Sequence, residues 1–318
     1  MTSIFGVIMS FMNVNYIENV DSLEGLKQLP SKSINCSISS PPYLNMRNYG
    51  IEGEFGCAAT PEEFVNQLCD YYDEVYRVLK DDGVVFVNLG DTYLGSGKGV
   101  WKGKENTKKE SFKFAEKPKE KLGGWRKQKQ LALIPFRFAI EMQNRGWLLR
   151  NNIVWHKGNA IPQSVTDRFT VDFETIFMFT KNKKYFFNQQ IEPFANASNP
   201  DEIYTGEATK DYESSNAQNP SDTKRRILES MKKRGGRSMR AVWKINTKPN
   251  KSVHTATFPE ELVERMLKSG CPEGGVVLDF FMGSGTTGMV AKRLGMNYIG
   301  FDLNPEYCEI ARKRIEES

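Results

Sequence analysis

The sequence predicts an α/β protein built on a doubly wound, mostly parallel sheet. Three observations predict it. Strand-like and helix-like segments alternate toward both ends of the chain, the pattern that layers helices on a parallel sheet. Residues 275–315 read as strand, glycine loop, helix, strand and helix, a full βαβ unit plus one helix. The short apolar stretch Ile34–Ile38 reads as a buried strand and runs straight into two prolines.

Taken in order, the opening IFGVIMSFM is apolar but too short to span a bilayer. It also lacks a basic flank and a small-residue cleavage site. It reads as a leader or packing strand, residues 1–11, and Met12 is a candidate start. The Ile34 strand should stop at Ser40. Proline cannot donate to a ladder, and it pushes the residue before it toward extended conformations. The corner Ser40-Pro41-Pro42-Tyr43 therefore offers carbonyl oxygens, the Ser40 hydroxyl and an aromatic ring. It is suited to receiving donors.

In "ATPEEFVNQLCDYYDEVYRVLKDDG", Thr60 is the N-cap, Pro61 the first helical residue, Glu63 closes a capping box and Gly83 ends the run. Phe64, Leu68, Tyr71, Val75 and Leu79 share one face, which packs on the sheet. Val84–Leu89 is the next buried strand. A helix over about 133–144 and strands over 147–155 and 173–180 continue the core. "TFPEELVERMLKSG" is a second Thr-x-x-Glu helix start. The stretch 188–250 is polar, rich in Asn, Ser, Asp and Pro, and weakly periodic, so it reads as an insertion. The expected division is 12–187 and 251–318 as two parts of one domain, with 188–250 as an insertion between them.

Charge is unevenly placed. Twelve Lys or Arg stand against four Glu between residues 98 and 129, and eleven stand against Glu229 alone between 224 and 251. Two basic blocks on an otherwise acidic body, interleaved with Trp101, Phe112, Phe114, Trp125 and Trp243, point to a polyanion such as nucleic acid. Lys232, Lys233, Arg234 and Arg237 are the candidate phosphate contacts. The five cysteines show no CxxC spacing and suit a reducing, cytoplasmic compartment. With two histidines in 318 residues, a His-based metal site or a Ser-His-Asp triad is improbable, and no metal is expected.

Gly283-Ser284-Gly285-Thr286-Thr287-Gly288 follows the strand Val276–Asp279, opens a helix and precedes Asp302 at the end of the next strand. Glycines allow close approach of backbone to a ligand, the helix start offers amides, and a carboxylate holds ribose hydroxyls. Any adenosine-containing cofactor suits such a loop, a nicotinamide dinucleotide included.

The combination of "SPPY" near the start and "DFFMGSGTT" near the end resembles the amino-group DNA methyltransferases that use S-adenosylmethionine. The order, catalytic motif first and cofactor motif last, is similar to the permuted β group of that family. "NVDSLEGLKQLP", "NLGDTY", "NIVWHK", "HTATFP" and "IGFDLNPEY" also sit where such enzymes have related segments.

The resemblance implies a seven-stranded, circularly permuted Rossmann-like methyltransferase sheet with an inserted target-recognition region. It implies that Ser40, Pro41, Pro42 and Tyr43 act on a flipped base, most readily cytosine N4 because Ser opens the motif. It further implies that Asp21, Phe258, Asp279, Phe281, Gly283, Ser284, Gly285, Thr286, Thr287 and Asp302 hold S-adenosylmethionine. Double-stranded DNA is then the partner, with room for a cognate restriction endonuclease, while oligomeric state stays open. Many relatives have Asp-Pro where this chain has Asp279-Phe280, and some carry a His-Glu pair where it reads Asp172-Phe173-Glu174, a segment given no role. Adenine N6 methylation, RNA base methylation, an NAD-dependent oxidoreductase and a DNA-binding module without catalysis are the alternatives.

Overall fold

The computed structural model describes residues 13–45, 55–95, 121–193, 226, 229–247 and 259–318. Phe258, residues 1–11 and most of the first basic block lie outside these. Two compact units divide the chain: Met1–Phe187 with Ala241–Ser318, and Asn188–Arg240. The inserted segment thus rejoins the larger unit about ten residues before the expected boundary, because Val242–Lys244 pairs into the main sheet.

The larger unit contains β1 (Tyr16–Asn19), α1 (Ser22–Gln28), β2 (Ile34–Ser39), α2 (Pro61–Val78), β3 (Leu79–Leu89), α3 (Ile134–Asn144), β4 (Leu148–His156) and β5 (Phe173–Thr180). After the second unit, which holds β6 (Ile191–Glu192) and β7 (Arg237–Ser238), come β8 (Val242–Lys244), α4 (Glu260–Gly270), β9 (Val276–Asp279), α5 (Thr286–Arg293), β10 (Asn297–Asp302) and α6 (Pro305–Glu316).

The sheet runs β1-β10-β9-β2-β3-β5-β4-β8. Every neighbouring pair is parallel except the two that β5 makes. It has eight strands where seven are expected, the addition being the three-residue edge strand β8. Helices α1, α2 and α3 pack on one another, as do α4, α5 and α6, giving the two outer layers of a doubly wound fold. Leu26, Phe64, Leu68, Tyr72, Phe138, Phe177 and Phe280 belong to the buried core.

Two boundaries differ from the sequence reading. α2 ends at Val78 and passes directly into β3, with Leu79 paired to Ile34. A register irregularity then separates Ile34 from Cys36. Gly83 belongs to that irregularity and does not cap the helix: a Cβ there would lie 2.6 Å from Leu79 Cγ. At the other end, α4 begins after Pro259 with no side-chain cap, so its Thr-x-x-Glu signal does not place the start. The cap of α2 does form. Thr60 Oγ1 accepts from Glu63 N at 3.1 Å, while the Glu63 carboxylate reaches back to Ala59 N.

Candidate active site

β2 and β9 are parallel neighbours, with Cys36 opposite Val277 and Ser37 opposite Leu278. From β9 the chain steps to β10 on one side, and from β2 it steps to β3 on the other. Strand order therefore reverses between β9 and β2. In an open α/β sheet this is where ligands bind, beyond the carboxyl ends of the strands. Two loops emerge there, the Ser40 corner after β2 and the glycine loop after β9.

The glycine loop is held from four sides. Asp279, 1% exposed, accepts from Phe281 N at 3.1 Å and from Thr287 Oγ1 at 2.6 Å. Burial pushes its carboxyl up to about 7. Asp302, at the end of β10, accepts from Gly283 N at 2.7 Å and from Asn304 N at 2.8 Å, and burial raises its pKa as well. The Arg314 guanidinium of α6 donates to Ser284 O at 2.6 Å and Ser284 Oγ at 2.7 Å. Ser22 Oγ of α1 donates to the Phe280 carbonyl. Gly283 and Gly285 adopt φ of 52° and 81°, and a Cβ on Gly285 would lie 2.7 Å from Ala311 Cβ. Glycine is required at this point on both counts.

The hydroxyls of Ser284, Thr286 and Thr287 are buried, so these residues shape the loop from within. Asp21 is the N-cap of α1, accepting from Leu23 N and Glu24 N just beyond the end of β1. The Phe281 ring packs among Phe55, Tyr71 and Phe280, with centroids 4.8–5.6 Å apart.

The Ser40 corner is anchored by residues the sequence reading missed. Ser39 pairs with Val87, so the next step of the register sets Ser40 beside Asn88 of β3. Asn88 Nδ2 lies 3.3 Å from Ser40 Oγ, 2.9 Å from Tyr43 Oη and 2.7 Å from Glu174 Oε2. Tyr43 Oη itself donates to Glu174 Oε2 at 2.6 Å. Lys157 Nζ donates to the other Glu174 oxygen and sits 4.4 Å from the Trp155 ring centroid.

Asn88 faces Ile176 across the β3–β5 pair, which makes Glu174 its diagonal neighbour on the same face. Asn88 is 2% exposed, and its Oδ1 finds no partner among the described residues. An orphaned buried acceptor costs about 1–3 kcal/mol, so the amide is held this way by its donor contacts. Gly90 completes the corner: a Cβ there would lie 2.6 Å from Tyr43 Cε2.

A polar Asn within the apolar run VVFVNLG was the available signal for Asn88. Glu174 and Lys157 lie in segments the resemblance had marked, but nothing in either segment shows that they meet at the corner. Asp91 accepts from Thr92 N and Ile134 N, bracing the start of α3, and Trp155 Nε1 donates to Ile245 O. Both are structural supports.

The second unit holds a two-residue antiparallel pairing of β6 with β7, with a helical turn at residues 229–233 shortly before β7. Here Arg237 pairs with Glu192 at 3.1 Å and Arg234 donates to Gln189 at 3.0 Å. Lys232 and Lys233 are exposed.

Residues 34–313 match the family model of the N6/N4-type DNA methylases. The chain belongs to this family and is a DNA methyltransferase. The match spans both loops of the crevice, so the permuted order in which the methyltransferase presents them is covered by one family model. The type II methyltransferase M.Cfr9I of Citrobacter freundii is 37% identical over 296 residues, covering 93% of this chain and 86% of its own length. M.SmaI of Serratia marcescens, also a type II methyltransferase, is 35% identical over 298 residues, covering 93% and 88%. Among solved structures, the cytosine-N4-specific PvuII DNA methyltransferase superposes with a TM-score of 0.62 at 20% identity, covering 95% of this chain and 86% of that one. A DNA modification methylase of Thermus thermophilus, complexed with S-adenosyl-L-methionine, gives 0.55 at 21% identity, covering 96% and 94%. Among the described residues no group of His, Cys, Asp or Glu is arranged to hold a metal, and no helix is long and apolar enough to cross a membrane.

Proposed function

We propose that this methyltransferase is of type II and transfers the methyl group of S-adenosylmethionine to the N4 amine of a cytosine turned out of double-stranded DNA at a specific sequence. The parallel pairing of β2 with β9 carries this reading. It sets an acceptor-rich corner and a glycine loop at the carboxyl ends of adjacent strands.

The residues at the loop fit the cofactor. Asp302 offers carboxylate oxygens suited to hydroxyl donors, the buried Asp279 orients the loop through Thr287 and Phe281 N, and Phe281 with its aromatic neighbours offers a wall suited to a purine. When bound, S-adenosylmethionine supplies a methyl group already activated on a sulfonium.

The chain's own residues then have a limited task. The exocyclic amine is a weak nucleophile because its lone pair is shared with the ring. Ser40 Oγ and a carbonyl of the Ser40-Pro41-Pro42 corner accept from its two N–H bonds and favour a pyramidal nitrogen with the lone pair free for attack. Positioning and fixed dipoles lower the barrier, with no histidine required. Tyr43 stacks on the flipped base and helps offset an unstacking cost of a few kcal/mol. Asn88, donating toward Ser40 Oγ and Tyr43 Oη, keeps both in place. Lys232, Lys233, Arg234 and Arg237 contact phosphates, and the remainder of 188–250 reads base edges.

Serine at the head of the motif favours cytosine N4, in line with the stated specificity of the PvuII enzyme. The type II designation of M.Cfr9I and M.SmaI favours a cognate restriction endonuclease as counterpart, and the cytoplasm is the matching compartment.

The test is expression in a methylation-free host, with genomic DNA digested to nucleosides and weighed. N4-methylcytosine is expected. N6-methyladenine would overturn the base assignment, and the absence of any methylated base would overturn the transfer itself. Modification-sensitive sequencing of the same DNA reports the context.

A further inference from the structure

We propose that Glu174 is a positioning residue for methyl transfer. It fixes the position of the Tyr43 ring and the placement of Ser40 together, through one carboxylate oxygen shared by Tyr43 Oη and Asn88 Nδ2. The proposal rests on the reading that Tyr43 stacks on the target base.

The geometry is that of a locked frame. Four strands contribute: Ser40 follows β2, Asn88 lies on β3, Glu174 on β5, and Lys157 follows β4. The side chains of Glu174 and Lys157 are 14% and 21% exposed, so water competes weakly for the ion pair between them. The Lys157 ammonium lies over the Trp155 face, and Trp155 is the direct cross-strand partner of Glu174. The carboxylate is thus gripped by Lys157 on one oxygen, and with the other it grips the catalytic corner.

A tyrosine side chain can swing about its first side-chain torsion, and a proline corner alone does not hold the far end of the ring. Two bonds to its hydroxyl, one donated to Glu174 at 2.6 Å and one received from Asn88 at 2.9 Å, do hold it. Gly90 closes against the ring from the other direction. The same Asn88 amide that Glu174 orients points toward Ser40 Oγ. One carboxylate therefore sets both the stacking surface and the acceptor. Neither Glu174 nor Lys157 need touch the substrate.

The experiment compares Glu174→Ala, Glu174→Gln and Tyr43→Phe with the wild-type enzyme. Duplex DNA carrying 2-aminopurine in place of the target base serves as the probe. For Glu174→Ala, kcat is expected to fall on the order of 10²-fold, as a misplacement near 1 Å does. KM for DNA and the affinity for S-adenosylmethionine should stay within about threefold. Stacking on Tyr43 quenches the flipped probe in the wild-type enzyme, and this quenching should be lost. Glu174→Gln retains one acceptor and should lie between the two. Tyr43→Phe keeps the ring but removes the link, and should share the loss of quenching.

Wild-type kcat and quenching in Glu174→Ala would overturn the proposal. So would a lower Tm with kcat and quenching unchanged. Should Glu174→Ala not fold, unchanged kcat and quenching in Tyr43→Phe would overturn it equally. The wild-type reaction product tests the underlying reading separately, because the proposal is judged only on ratios of variant to wild type.

Discussion

Gly90→Ala isolates the packing of the catalytic corner. Gly90 lies outside the left-handed backbone region, so alanine adds no backbone strain. Its Cβ would stand 2.6, 3.0 and 3.3 Å from Tyr43 Cε2, Cδ2 and Cζ. Carbon atoms rest about 3.5–4.0 Å apart, so the ring must withdraw by about 1 Å. That displacement takes the Tyr43–Glu174 bond from 2.6 Å to roughly 3.6 Å, where it is no longer a hydrogen bond. A bond to a charged group is worth about 1.5–3 kcal/mol. Since about 1.4 kcal/mol is a factor of ten in rate, kcat should fall by about 10–10²-fold. The glycine loop is braced by Asp279, Asp302 and Arg314, none of which meets Gly90, so cofactor affinity should hold. Single-turnover transfer of labelled methyl to cognate DNA measures the rate, and calorimetry measures the affinity. In a Tyr43→Ala background the obstructing ring is gone, and Gly90→Ala should then add less than about a twofold effect. A Gly90→Ala enzyme with undiminished kcat, or an equal loss in the Tyr43→Ala background, would refute this account of the corner.

Other perturbations probe the remaining supports. Asp279 is held near 7 by burial, against roughly 3.9 in an unfolded chain. Its contribution to stability is therefore complete below about pH 4 and is lost as pH rises through about 7. Three units at 1.36 kcal/mol each amount to about 4 kcal/mol. Asp279→Asn should abolish that slope in urea titrations across pH 4 to 8, and parallel wild-type and variant curves would contradict it. Arg314→Met frees Ser284 from α6 and should weaken S-adenosylmethionine binding about tenfold, loss of a charged hydrogen bond being worth roughly 1.5–3 kcal/mol. Equal affinities by calorimetry would count against that link. Replacing Lys232, Lys233, Arg234 and Arg237 by alanine should weaken DNA binding and lower the salt slope by about 0.9 per lost phosphate contact, with cofactor affinity intact. An unchanged filter-binding curve would remove these residues from the interface.

The sequence alone determined the α/β class, the strand preceding each loop and the two loops themselves. These signals are local. Proline ends β2 because it cannot donate, and the glycines of 283–288 mark a turn that side chains would obstruct. The β5 strand, read as 173–180, is found as Phe173–Thr180. No local pattern makes β2 and β9 neighbours, and the sheet supplies that.

Only the tertiary structure decided what holds the corner. Glu174, Asn88 and Lys157 come from three strands and meet through an antiparallel pairing at β5 that no local pattern encodes. It also decided that Asp302 and Asp279 brace the glycine loop and that Asp21 caps a helix. A side chain's type and sequence neighbours limit what it can bond to. Which partner it finds depends on strand order and register, and those are settled by burying the whole apolar surface at once.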